Sequence, residues 1–392
     1  MLRPVFTAMV AFTIVQGGVL AAVTPVEGSS MLKFEKQRIG NVTYEAASVF
    51  DVNKNGVLDI VSGEYWFEGP DFTKQHKICD VKPSGDYYDD FSDYPLDVNG
   101  DGYLDIVTGG WWGKKLQWRE NPKGKPVEWQ VHDIAETGSV ERGCFWDIDG
   151  DGVVEAIPNC PGQPYQVFKL VRDAAGKGAG KFEKHVVSEL PQGHGLGCGD
   201  ITGNGRMDLI SAGGWLEAPE DPYNGKWEWR AEFDLGSASV PVLVHDVNGD
   251  GLNDLIVGQG HAYGLAWWEQ GKDSAGKRTW TKHEIDTERS QYHDMQLVDI
   301  DNDGQLELIT GKRYHAHSGH DPGASDPIGL YYFKLEGGKF VRHTIDYGPP
   351  ESGASGAGIY FWIADLDGNG WKDIVAPGKE GLYLFRNRGL SD

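Results

Sequence analysis

The segment Asp97-Val98-Asn99-Gly100-Asp101-Gly102-Tyr103-Leu104-Asp105 constrains this chain more than any other, because it is repeated. Oxygen-bearing side chains at positions 1, 3, 5 and 9, with glycine at 6 for the sharp turn, are what a hard cation requires. The same frame starts at Asp51, Asp97, Asp147, Asp200, Asp246, Asp299 and Asp365, and every copy keeps glycine at position 6 and Asp or Glu at position 9. An EF-hand would end in a bidentate Glu at position 12 between two helices. Here the last carboxylate falls at 9 and an apolar, often β-branched run follows at once, so the loop joins two strands.

Successive loops begin 46, 50, 53, 46, 53 and 66 residues apart, the spacing of four-stranded propeller blades. A short strand precedes each loop, as at Ala46 to Phe50 or Pro241 to His245, and an apolar strand such as Leu104 to Gly109 follows it. A third strand is clear at Leu265 to Glu269, and a fourth alternates at Trp129 to Ile134, Phe182 to Val187 and Trp280 to Ile285. The last repeat stops after its third strand near Asn387, while a matching fourth strand, Phe34 to Ile39, lies ahead of the first loop. The expectation is an all-β, seven-bladed β-propeller of four-stranded blades over 33–388, its last blade closed by the N-terminal strand.

Loops such as Asp246-Val247-Asn248-Gly249-Asp250-Gly251-Leu252-Asn253-Asp254 resemble the FG-GAP or VCBS repeats of integrin-type propellers and many exported bacterial proteins. The resemblance spans roughly residues 33 to 388 and implies a propeller with several structural calcium sites. A narrower similarity is to the propeller domain of aldos-2-ulose dehydratase, a larger lyase with cupin-like domains that this chain lacks. It implies removal of water from keto-sugars.

The expected calcium ligands are Asp51, Asn53, Asn55 and Asp59; Asp97, Asn99, Asp101 and Asp105; Asp147, Asp149, Asp151 and Glu155; and Asp200 and Asp208. They continue with Asp246, Asn248, Asp250 and Asp254; Asp299, Asp301, Asp303 and Glu307; and Asp365, Asp367, Asn369 and Asp373. The formal net charge is −23, and these loops hold 21 carboxylates, so the acidity is mostly a demand for cations. No basic stripe exists to neutralise phosphates, which excludes nucleic acid as the expected partner.

Met1 to Ala22 carries one basic residue, Arg3, then an apolar run ending in small residues, and reads as a signal peptide (1–22) followed by a linker (23–32). A secreted or periplasmic protein with no membrane span after signal removal is expected. The four cysteines allow a Cys144 to Cys198 bridge or buried free thiols, alternatives the spacing leaves open.

If the loop joins the first two strands of a blade, the fourth-to-first and second-to-third connections share the opposite face. Six positions before each loop stand Glu45, Phe91, Glu141, His194, Val240, His293 and Ile359, with Asp89, Asp90, Arg142, Tyr292 and Asp294 beside them. The other connections add Tyr65 and Trp66, Trp111 and Trp112, Trp215, His261, and the segment Lys312 to Asp321. Aromatic platforms beside carboxylates and imidazoles suit a carbohydrate or keto-sugar ligand. Tyr65, Trp66, Asp89, Trp111, Trp112, Trp215, His261 and Arg313 are therefore the expected substrate contacts. His76, His132, His185, His283 and His343 recur at one place in the fourth strand and read as structural.

A dehydratase needs a base, an electrophile for the enolate and an acid for the leaving hydroxyl. The expected catalytic set is His194 or His293 as base, Arg142 or one catalytic divalent ion on Glu141, Asp90 and imidazole as electrophile, and Tyr292 or Asp294 as acid. His315, His317 and His320 are a candidate second metal set. The rival readings are a non-catalytic glycan- or protein-binding propeller, and a glycoside hydrolase using two of Glu45, Asp89, Asp90 and Glu141. Oligomeric state leaves no trace in the sequence.

Overall fold

A computed structural model of the chain describes residues 26–28 and 31–391. The signal-peptide stretch 1–22 lies outside the described residues, as does part of the linker. The described residues form seven four-stranded antiparallel sheets, a small hairpin of Pro83–Ser84 and Tyr87–Tyr88, and two short 3-10 turns, Ala316–Gly319 and Pro350–Ser352. The first blade is Ser48–Phe50, Asp59–Ser62, Tyr65–Glu68 and Lys74–Lys77; the sixth is Tyr292–Val298, Glu307–Lys312, Ile328–Glu336 and Lys339–Gly348. In the seventh, Trp362–Ala364, Asp373–Ala376 and Leu382–Leu390 are completed by Leu32–Gly40, so the N-terminal strand closes the ring. Ahead of it, Val26–Glu27 pairs in parallel with Lys339–Gly348 as an extra outer strand of the sixth blade. That addition follows no repeat pattern.

First strands of neighbouring blades run side by side in parallel, as the bridges Ala46 to Tyr360 and Gly197 to Val242 record. Apolar residues of facing blades fill the gaps between them. One such layer joins Ile60, Phe67 and Val49 of the first blade to Val375 and Leu384 of the seventh. Among the described residues no helix is long and apolar enough to cross a membrane.

The acidic loops are built alike. The glycine at position 6 has φ of 82° to 89° in all seven, a left-handed turn that a side chain would strain. The position-9 carboxylate turns inward: Asp105 accepts the N–H of Val98 at 2.9 Å and that of Asn121 at 2.8 Å, and is fully buried. Equivalent bonds to position 2 recur at Asp59, Glu155, Asp208, Asp254, Glu307 and Asp373. Replacing Asp105 with Ala strands two buried N–H groups, at about 1–3 kcal/mol each. A urea titration should show a stability loss of roughly 2–5 kcal/mol for Asp105→Ala, and a change below about 0.5 kcal/mol would deny the carboxylate this role.

Four of the five recurring histidines of the fourth strands are cross-strand partners of aromatic rings, and His185 faces Val167. His76 stacks on Trp66, His132 on Trp118 and His283 on Trp267 at centroid distances of 4.1, 4.4 and 4.4 Å, each with Nε2 against a glutamate two residues after the tryptophan. The four cysteines are free thiols; Cys79, Cys144 and Cys160 are buried and Cys198 is half-buried.

Candidate functional site

Strands in a blade alternate in direction, so the acidic loops lie at one end and the fourth-to-first and second-to-third connections at the other. At that second end Glu141, His194, His261 and His293 bring one ligand atom each to within 4.8 Å of one another. Glu141 Oε1 lies 3.0 Å from His293 Nε2, 3.4 Å from His194 Nε2 and 3.8 Å from His261 Nε2, and the last two nitrogens are 2.9 Å apart. Gly260 permits this crowding, since a Cβ there would stand 3.1 Å from both His194 Cε1 and His293 Cδ2.

The outer nitrogens fix the tautomers. His194 Nδ1 donates to the Ala238 carbonyl at 2.7 Å and His261 Nδ1 donates to Asp321 Oδ2 at 2.8 Å. With Nδ1 as the donor, each ring when singly protonated presents a bare Nε2 lone pair to the other and to a carboxylate oxygen. That arrangement is repulsive until a cation stands between them. A tetrahedral ion about 2.0–2.1 Å from each ligand spaces its ligands roughly 3.3–3.4 Å apart, close to the separations seen. Outer hydrogen bonds of this kind orient metal-bound imidazoles in general. Burial holds the fully buried His293 well below the usual imidazole range, in its neutral form. Burial pushes the Glu141 carboxyl up, but the imidazoles of His194, His261 and His293 around it outweigh burial and hold it well below the usual range.

Arg313 closes one side. Its Nε donates to Glu45 Oε1 at 2.9 Å and its Nη1 to Glu141 Oε1 at 3.4 Å; burial disfavours its charge, but the two carboxylates outweigh burial and keep it charged. Next to it a cavity of about 160 Å³ is lined by Tyr87, Phe91, Trp111, Trp112, Glu141, Arg313 and His317. Asp89 shapes this wall by accepting the N–H groups of Trp112 at 2.9 Å and Gly113 at 2.6 Å.

Several expected members stand elsewhere. Arg142 and Asp294 follow Glu141 and His293 in sequence and so turn to the opposite side, where Arg142 Nη2 meets Asp294 Oδ1 at 2.9 Å. This pair forms a second layer beneath the histidines and above an axial cavity of about 400 Å³ that Tyr94, Trp146 and Trp362 help to line. Tyr292 is fully buried, donates to Asp286 at 2.9 Å and packs between blades against Tyr331 and Phe333. It cannot serve as the acid. Asp90 pairs with Arg119 at 2.8 Å and accepts from Thr108, away from the histidines.

Trp66 is held by its histidine, Trp215 is buried with Nε1 on Glu232, and Tyr65 packs against apolar layers of the first blade. These three are structural rather than substrate contacts. His315, His317 and His320 do not converge: His315 bonds Asp86, His317 bonds Asp321, and His320 Nδ1 donates to the His317 carbonyl. The strained loop between them turns each ring to a different partner. Tyr87 was not anticipated, and Asp321 was expected at this face with no role of its own. Asp321 lies at the end of the histidine-rich segment, and Tyr87 sits in the long fourth-to-first link before the second blade, where the repeat pattern sets no register.

On the opposite end, ligand oxygens gather in three acidic loops: Asp147, Asp149 and Glu155; Asp299, Asp301 and Asp303; and Asp365, Asp367 and Asp373. Lys169 and Lys334 pair with the carboxylates at positions 3 and 5 of the first two. In the loop at Asp200, the middle ligands are Thr202 and Asn204, and the Thr202 N–H turns back to Asp200.

A family model described as an FG-GAP-like repeat matches residues 246–310. No curated protein matches the chain. Among solved structures, BBS1N from its complex with ARL6DN is similar at 9% identity and TM-score 0.51, covering 92% of this chain and 98% of that one. Rhamnogalacturonan lyase YesW is similar at 13% identity and TM-score 0.45, covering 92% and 74%. The V. cholerae biofilm matrix protein Bap1 is similar at 12% identity and TM-score 0.46, covering 94% and 91%. Likeness this distant speaks to the fold alone. With seven four-stranded blades and one acidic loop per blade, the chain is a seven-bladed β-propeller, and its residues 246–310 match an FG-GAP-like repeat.

Proposed function

We propose that this propeller is an exported, metal-dependent lyase that dehydrates keto-sugars at the axial histidine cluster, with calcium in its acidic loops. The observation that carries the proposal is the convergence of three imidazoles and Glu141, two of the rings presenting bare lone pairs 2.9 Å apart. Three nitrogen donors and one carboxylate suit zinc or a similar transition ion better than calcium or magnesium. An ion held there would supply a Lewis acid to a carbonyl oxygen that joins these four groups as a further ligand.

The chain's own groups do the rest. Trp111, Trp112, Tyr87 and Phe91 offer faces for the C–H side of a pyranose, in a cavity sized for one ring. Glu45 fixes Arg313, and Arg313 in turn orients Glu141 beside that cavity. The dehydratase chemistry is what the sequence resemblance implies, and the grouping of three imidazoles and a carboxylate beside an aromatic cavity supports it. A glycoside hydrolase is disfavoured because Asp89, Asp90, Glu45 and Glu141 are each committed to a backbone, arginine or histidine partner.

Export follows from the apolar leader at residues 1–22 and from calcium-type loops, which suit a calcium-rich compartment. The test is to purify the protein without chelator, measure bound transition metal, and follow enone absorbance with 2-keto- and 3-keto-hexoses. Bound metal at about one equivalent with chelator-sensitive enone formation is expected. Metal without turnover, but with saturable quenching of tryptophan fluorescence by the same sugars, would replace catalysis with glycan binding.

A further inference from the structure

We propose that His317 is the acid–base residue at this site, held in position by Asp321; the inference rests on the dehydratase reading above. None of the three clustered histidines is free for that work, since each points Nε2 at Glu141. His317 is different. Its side chain is 58% exposed, and it lines the aromatic cavity together with Trp111, Trp112 and Glu141.

The Asp321 carboxylate serves two rings at once. Oδ1 accepts from His317 Nδ1 at 2.7 Å and Oδ2 accepts from His261 Nδ1 at 2.8 Å, while the rings stack at 4.2 Å with 13° between planes. Donation from Nδ1 leaves His317 Nε2 as the basic nitrogen, the same orienting logic that a carboxylate provides in hydrolytic triads. One acid thus places a base beside the ring and fixes the ligand tautomer below it.

The backbone supplies a second, separate observation. His315, His317 and Ser318 have φ of 55°, 45° and 54°, in the left-handed region that disfavours side chains. Strain of this kind persists only where the surroundings over-determine it. Here Lys379 donates to the His315 carbonyl at 2.9 Å, Ser318 Oγ donates to Asp86 at 2.7 Å, and Lys312 donates to the carbonyls of Gly323 and Asp326. Ala316 is buried within this turn, whereas His317 and Ser318 face solvent. What the conformation does is aim the imidazole at the cavity.

In the step assigned to it, His317 Nε2 takes the proton from the carbon next to the keto group. The electron pair of that C–H bond becomes the new C–C double bond, and the C–O bond at the next carbon breaks with both electrons on oxygen. The imidazolium returns its proton to that oxygen, so the products are enone and water and the residue is regenerated. No oxidant or reductant enters.

The test uses the full-length protein with the metal it retains, a panel of 2-keto- and 3-keto-hexoses, and two readouts: enone absorbance and NMR wash-in of deuterium beside the carbonyl. His317→Gln should lower both by about 10²- to 10⁴-fold while KM and bound metal stay within about twofold. Asp321→Asn should lower kcat with KM retained, and ¹⁵N spectra should show His317 leaving the Nδ1–H tautomer, a change that a structural role would not produce. If His317→Gln keeps turnover within about threefold of an active wild type, or sheds the metal, the assignment to His317 is wrong while the dehydratase reading stands. If the metal-loaded wild type neither eliminates nor exchanges on any sugar, the reading fails and takes this inference with it.

Discussion

Chelation with EGTA at pH 8 is expected to lower the melting temperature by roughly 10 °C, and the same treatment at pH 5 to have much less effect. The magnitude comes from the three loops whose oxygens already gather. Each site held at about a hundred times its Kd adds about 2.7 kcal/mol, so three add about 8 kcal/mol. An unfolding entropy near 2 cal/mol/K per residue converts that to about 10 °C for a chain of this length. The pH dependence follows from the buried position-9 carboxyls. Burial raises Asp59, Glu155, Asp208, Asp254 and Asp373 to about 6 and Asp105 and Glu307 to about 7.

Unfolded carboxyls titrate near 4, so without ions the folded state holds extra protons. That stability is complete below about pH 4 and is lost as pH rises through about 6 to 7. Calcium needs the ionised carboxylates, so its stabilisation grows across the same window. Calorimetry with calcium, with magnesium and with EGTA at both pH values checks this. A melting temperature indifferent to EGTA at pH 8 would reduce the loops to tight turns with no ion.

The same loops explain why the fold was legible from sequence. A glycine forced to positive φ at position 6 and a carboxylate turned onto backbone at position 9 leave a fixed residue spacing, and Leu32–Gly40 could be assigned to the last blade by subtraction. The site was legible only in part. Glu141, His194 and His293 share one offset from their loops, so repeat arithmetic put them at one end of the axis. It said nothing of which way Arg142, Tyr292 and Asp294 turn. Side chains on successive residues alternate, and that alone sends Arg142 and Asp294 to the lower layer.

His261 and Asp321 come from second-to-third connections of unequal length, where no periodicity applies. The candidate set His315, His317 and His320 failed for the same reason: spacing within an irregular loop does not fix direction, and three positive-φ residues scatter the rings. Val26–Glu27, paired outside the repeat, shows the converse, an element with no partner in the pattern.

Glu141 with His293, and Arg142 with Asp294, thus make two polar layers that bridge the third and sixth blades across the axis. They close the axis between the aromatic cavity and the wider cavity on the loop side. Their roles differ, and mutation separates them. His261→Ala removes one of four candidate ligands and should abolish the bound transition metal; losing several kcal/mol of electrophilic assistance means a fall in turnover of about 10³-fold or more. The fold should survive, because His261 is half-buried and its deletion strands only one oxygen of Asp321.

Arg142→Met should do the reverse. It leaves Asp294 buried without its cation, a defect of about 3–5 kcal/mol, while the metal stays bound because neither Arg142 nor Asp294 faces the histidines. Metal analysis and denaturant unfolding on both variants decide the matter. Metal loss in Arg142→Met, or retained metal and turnover in His261→Ala, would mean that the two layers act as one and that the cluster of imidazoles is not the metal centre.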